Sequence, residues 1–172
     1  MKSSFHPLAF FLSAAFILAP VSARAEDPKE IGVFGNWKAY TFTENGHKVC
    51  YMAAQPAKKE PAGAKRGDIY ALITHRPAEN TTNVFSYITG YPYKEGSGAS
   101  VKIDASSFSL FTQDETAWAP DAEGDLRLAD SIRKGSNMIV KGTSARGTET
   151  TDTFSLKGSG AAYDAISKEC GI

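Results

Sequence analysis

Ala99-Ser-Val-Lys-Ile-Asp104 and Ser107-Phe-Ser-Leu-Phe-Thr112 decide the fold class. In the first arm Val101 and Ile103 alternate with Lys102 and Asp104; in the second Phe108 and Leu110 alternate with Ser107 and Ser109. A period of two gives each arm one wet face and one buried face, as in an antiparallel sheet packed on a core. Only Ala105 and Ser106 separate the arms, so they read as a hairpin. Upstream, residues 83–89 read as a strand. Asp68-Ile-Tyr-Ala-Leu-Ile-Thr-His75 carries Ile69 and Ile73 on one face and Tyr70 and Leu72 on the other. Apolar residues on both faces predict a central strand, or one whose outer face is covered. Earlier still, residues 36–43 and 47–55 flank Glu44-Asn45-Gly46, and Asn-Gly is a strong hairpin signal. Residues 26–31 read as polar and loose, and 56–67 as a mobile loop rich in Ala, Lys, Pro and Gly.

Downstream the period changes. Asp121 after Pro120 can cap a helix in which Leu126, Ala129, Ile132 and Arg133 recur at helical spacing, with Gly135 as its stop. Residues 136–142 and 150–156 predict a last hairpin. Ser159 can cap a C-terminal helix that places Tyr163, Ile166 and Cys170 on one face. About eight strands with two short helices predict an all-β antiparallel sandwich, with a partly closed barrel as the alternative. Trp37 reads as core.

The N-terminus predicts export. Lys2 precedes an apolar run from Leu8 to Ala19, and Ala23-Arg24-Ala25 offers a small-x-small cleavage pattern. Residues 1–25 are therefore read as a signal peptide and 26–172 as a single domain. The apolar run is short for a bilayer span, and the mature chain has none. The 147 residues after the cut hold 17 basic and 19 acidic side chains, a formal net charge of −2. Such balance argues against nucleic acid or anionic lipid as partner. Lys58-Lys59 and Lys65-Arg66 are interrupted by Glu60, Pro61 and Gly63, and read as a solvated loop rather than a phosphate or lipid patch.

Two cysteines are present, Cys50 and Cys170. An even pair in an exported chain most often forms a disulfide, here closing about 120 residues. The alternatives are two buried thiols or, without a Cys-x-x-Cys motif, a reactive nucleophile. No cofactor is indicated. Asp121-Ala-Glu123-Gly-Asp125 has oxygen ligands in the first places of a calcium loop, but Leu126 and Ile132 occupy the places that need Gly and a bidentate Glu. Two His and two Cys after the cut are too few for a zinc site at sensible spacing. Gly142-Thr-Ser144-Ala-Arg146 lacks the closing Gly of an esterase elbow, so no catalytic residue is assigned. The candidates for partner contact are the loop tyrosines Tyr91 and Tyr93, the strand-end pair His75 and Arg76, and Trp118. For each aromatic the competing reading is packing over the sandwich end, and for His75 a structural histidine.

Phe34-Gly35-Asn36-Trp37, Cys50-Tyr51-Met52, Thr74-His75-Arg76-Pro77-Ala78-Glu79 and Ser155-Leu156-Lys157-Gly158-Ser159-Gly160-Ala161-Ala162-Tyr163-Asp164-Ala165-Ile166 together resemble the invasion-associated locus B family of exported alphaproteobacterial proteins. The resemblance covers essentially the whole mature chain. It implies an immunoglobulin-like sandwich, a periplasmic or envelope location in a Gram-negative bacterium and a link to host-cell entry in some members. It brings no established catalytic residue. Many members carry further cysteines in two regions that read here Lys38-Ala-Tyr-Thr-Phe42 and Phe111-Thr-Gln-Asp-Glu-Thr-Ala-Trp-Ala119, without cysteine. The expected function is a non-enzymatic protein that binds a protein or glycan of the envelope or host surface. The alternatives are a hydrolase of cell-wall or host polymers using His75 with an acidic residue, and an inhibitor of a secreted or host enzyme.

Overall fold

The computed structural model describes residues 27–172; the predicted signal peptide and its cleavage site lie outside the described residues. Eleven strands and two helices follow one another as β1 (Lys29–Phe34), β2 (Trp37–Glu44), β3 (His47–Ala54), β4 (Lys58–Glu60), β5 (Tyr70–Arg76), β6 (Thr81–Ile88), β7 (Ala99–Ile103), β8 (Ser106–Gln113), β9 (Thr116–Trp118), α1 (Ala122–Lys134), β10 (Asn137–Thr143), β11 (Glu149–Ser155) and α2 (Ser159–Cys170). Asn45 and Gly46 both take positive φ, 51° and 80°, the requirement of the tight turn that returns β2 onto β3.

The strands pair antiparallel in the order β1-β2-β3-β5-β6-β9-β8-β7-β10-β11-β4. Strand β8 serves both layers. Ser106–Leu110 pairs with β7, while Phe111–Gln113 pairs with β9, so the chain turns from one sheet into the other along this strand. β1 and β4 end the order and do not pair with each other, so the ribbon does not close into a barrel. The result is the predicted immunoglobulin-like antiparallel sandwich with two short helices, one C-terminal.

The core lies where Trp37, Met52, Ile73 and Phe85 of one layer face Val101, Met138, Val140 and Phe154 of the other. Tyr87 meets Phe154 edge to face at 6.2 Å across the layers. Both helices cover the inner side, α1 through Leu128, Ala129 and Ile132 and α2 through Ala162 and Ile166. Cys50 in β3 is bonded to Cys170 at the end of α2, with Cα atoms 6.0 Å apart.

Two of the stretches that carry the family resemblance, Phe34–Trp37 and Ser155–Ile166, touch each other. Gly35 and Gly158 take φ of 60° and 90°, and a Cβ on either would fall on the other segment's backbone, at Lys157 O or Phe34 O. Asn36 N–H donates to Lys157 O (3.1 Å) and Trp37 Nε1–H to Ser155 O (3.1 Å). These motifs build a corner that sets β2 against the start of α2; their chemistry is packing.

Several local expectations need correction. Residues 29–31 belong to β1, because the β2 edge offers an open ladder to a segment that has no alternation of its own. Lys58–Glu60 pairs with β11, so part of the predicted mobile loop is an edge strand. Thr116–Trp118 is a three-residue strand too short to show a period. Leu126 is exposed; Leu128, two positions on, takes the core position. Gly158, not Ser159, caps α2, while Ser159 Oγ sits 2.6 Å from Ile132 O and ties the two helices together.

Candidate functional site

His75, next to last in β5, faces inward and is fully buried. Its Nδ1 accepts from Asn83 N–H (3.1 Å), which puts the ring proton on Nε2, 3.2 Å from Ser167 Oγ. Nε2 therefore donates to the serine, the opposite of what a general base does. Among the described residues no carboxylate pairs with His75, so the acid-assisted role weighed for it has no partner in the fold. Its ring packs edge-on against Tyr163 at 5.4 Å.

Burial lowers the His75 pKa from 6.5 to about 4. Between these values the unfolded chain takes up a proton that the folded chain refuses, so stability rises with pH across that window. The contribution is complete above pH 6.5 and is lost as pH falls toward 4. Urea unfolding is expected to show roughly 2 kcal/mol less stability at pH 5 than at pH 7 from this group. A His75→Gln variant should lose correspondingly less over the same interval, and equal losses in both proteins would overturn the assignment.

Tyr91 and Tyr93 are also buried, 9% and 7% exposed, which corrects their reading as open rings on a loop. The loop folds inward because Tyr91 Oη reaches Thr150 Oγ1 (2.6 Å) and Gly142 leaves room for the Tyr93 ring. Burial, with Tyr91 beside it, pushes the pKa of the Tyr93 hydroxyl far up, and among the described residues that hydroxyl has no hydrogen-bond partner. Below them lies a network absent from the sequence reading. Arg66 grips Asp152 with two nitrogens (2.9 and 2.7 Å) and donates to Thr89 O, while the Tyr87 hydroxyl donates to the same carboxylate. Arg66 is thus a buried ion-pair partner and not part of a solvated basic loop. The one signal in the sequence was Asp152 itself: it alternates with Thr150 and Phe154 on the inward face of β11, where a charge needs a partner.

Arg76 and Trp118 lie on the opposite, outer side of the same layer, and here the structure assembles a surface. Cross-strand register aligns Lys38, Ala53, Leu72, Ser86, Trp118 and Phe111 in one row, and Tyr40, Tyr51, Thr74 and Val84 in the next. Tyr40 stacks on Tyr51 at 5.0 Å, Phe42 meets Tyr51 edge-on at 6.0 Å, and Phe111 stacks on Trp118 at 5.5 Å. Phe111 is 49% exposed; the tyrosines, Leu72 and Trp118 are partly exposed. A cleft of about 450 Å³ between Tyr40, Tyr51, Tyr70 and Leu72 is edged by Asn36 and Gln55. Partial burial and the neighbouring tyrosines raise the Tyr51 pKa, so its hydroxyl remains a donor at neutral pH. Arg76 stands at the rim, paired with Glu44 at 3.2 Å and Glu79 at 3.7 Å. Tyr70 and Leu72 predict a central strand or a covered outer side; β5 is central, between β3 and β6, and among the described residues neither helix covers this side.

The acidic run before and within α1 is structural. Asp121 Oδ1 accepts from Gly124 N–H (2.7 Å) as the helix cap, and Asp125 Oδ1 accepts from Phe85 N–H (2.8 Å). Among the described residues no group of three or more His, Cys, Asp or Glu is placed to hold a metal. Among them, too, no helix is long and apolar enough to cross a membrane.

No curated protein matches the chain in sequence. Its fold is similar to the crystal structure of invasion associated protein B from Bartonella henselae, with a TM-score of 0.56 and 13% identity over 80% of this chain and 95% of that one. The sequence model described as invasion associated locus B (IalB) protein matches residues 37–167, from the tryptophan of the Gly35/Gly158 corner to the serine beside His75. That match spans most of the chain, and the chain belongs to the invasion associated locus B family.

Proposed function

We propose that this protein is a non-enzymatic component of the exported envelope, acting in the periplasm or at the surface of a Gram-negative bacterium, and that it docks a protein partner through the outer aromatic face. The observation that carries the reading is the uncovered run of Tyr40, Phe42, Tyr51, Tyr70, Leu72, Trp118 and Phe111 across six neighbouring strands. Six strands span roughly 24 Å at about 4.8 Å spacing, the width of an ordinary protein–protein contact. Tyrosine, tryptophan and arginine are the residues that carry binding energy in such contacts, and Arg76 with its acidic neighbours supplies a polar rim. A link to invasion, the word in the name of the Bartonella henselae neighbour, enters as part of this reading.

The test uses a photocrosslinking residue placed in living cells at Phe111 or Tyr70, with Lys102 on the other layer as the control position. A discrete adduct is expected from the two face positions. It should fall at least 10-fold when Leu72→Asp is added, with the protein still folded. Equal adducts from Lys102, or adducts indifferent to Leu72→Asp, would remove the aromatic face as the docking surface.

A further inference from the structure

Three loops enclose a second cleft, about 580 Å³ in volume, within the range of ligand sites. Lys65 and Arg66 come from the segment before β5, Tyr91 and Pro92 from the loop after β6, and Arg146 from the β10–β11 turn. Three cations line it and no carboxylate does. Their roles differ. Arg66 is neutralised by Asp152 and lies over the Tyr91 ring at 4.9 Å, so it builds the floor. Lys65 and Arg146 are exposed and, among the described residues, stand in no ion pair. The hydroxyl of Thr148 and the apolar side of Pro92 complete the walls.

Two unpaired cations on separate loops, over a floor already charge-balanced, present net positive charge to whatever enters. We propose that this cleft binds a segment of an acidic polysaccharide. Lys65 and Arg146 would take its carboxylate or sulfate groups, and Thr148 and Pro92 would lie along a sugar ring. Threonine hydroxyls beside an apolar ring suit a polyhydroxylated unit whose faces are apolar and whose edges are polar. Nucleic acid and anionic membranes fit less well. They call for a longer run of free cations than the two, Lys65 and Arg146, that this cleft presents. The inference is independent of the aromatic face: the two clefts share no lining residue.

The probes are oligogalacturonate for carboxylate and a heparin octasaccharide for sulfate, titrated into the mature protein at 20 mM and 500 mM NaCl, with maltooctaose as the neutral sugar. Saturable binding of at least one acidic probe is expected at low salt, at least 10-fold weaker at high salt, and the preferred probe identifies the anionic group. Lys65→Ala/Arg146→Ala should weaken that binding at least 10-fold with an unchanged melting temperature. Lys102→Ala/Lys168→Ala, which removes the same charge from other surfaces, and Leu72→Asp on the aromatic face should leave it within 2-fold. Absence of saturable binding to either acidic probe, or equal loss in the two double-alanine variants, would overturn the proposal.

Discussion

Arg66→Met is expected to lower the free energy of unfolding by about 3–5 kcal/mol, the usual effect of stranding one member of a buried ion pair. Asp152 is fully buried, and the Arg66 side chain is only 6% exposed. With the guanidinium gone, the carboxylate keeps the Tyr87 hydroxyl as its remaining donor in the network. That hydroxyl stays protonated, because burial and then the adjacent carboxylate push its pKa far up. The network also joins the layers: Tyr87 belongs to β6 in one sheet and Asp152 to β11 in the other. Arg66→Met/Asp152→Leu should therefore be less destabilised than either single variant, since no charge is left unpaired. Urea unfolding of the four proteins gives the coupling directly. A loss under about 1 kcal/mol for Arg66→Met would mean that water reaches the pair in solution.

Removing the disulfide should have a comparable effect by another route. Cys50→Ala/Cys170→Ala is expected to lose about 4–5 kcal/mol, because the bond closes a loop of some 120 residues in the unfolded chain. In the folded protein the helix that carries Cys170 also rests on Ala162 and Ile166 and on the Gly35/Gly158 corner, so α2 should stay docked and the native spectrum should survive. Guanidinium unfolding with and without reductant checks both parts. The wild type should drop to the level of the variant on reduction, and the variant should not respond. A midpoint for the oxidised wild type equal to the variant's would remove the loop-closure account.

The sequence was most informative where a period was clean. The β7–β8 hairpin, the Asn45-Gly46 turn and the Asp121-capped helix occur where alternation, φ > 0 chemistry and capping place them. It misled where a segment's state depends on a distant edge: residues 29–31 and 58–60 read as loose chain and are strands. β1, β4 and β9 are strands because β2, β11 and the β6/β8 pair offer them ladders, not because of their own pattern. The site followed the same division. Tyr70 and Leu72 announced an apolar outer face, and Trp118 and Arg76 lie on it. Tyr91, Tyr93 and His75 were drawn inward by Thr150, Gly142 and Asn83, partners 8 to 59 positions away that no local pattern links to them.

The residues alone thus determined the class of fold, the helix positions, the cysteine pair and the family, because each depends on short-range period or on residue identity. Only the folded chain decided which aromatic rings face outward, that Arg66 reaches Asp152 and that Lys65 meets Arg146 across one cleft. Those outcomes depend on strand register and on the fold of β8 between two layers, and both are set by packing among residues far apart in the chain.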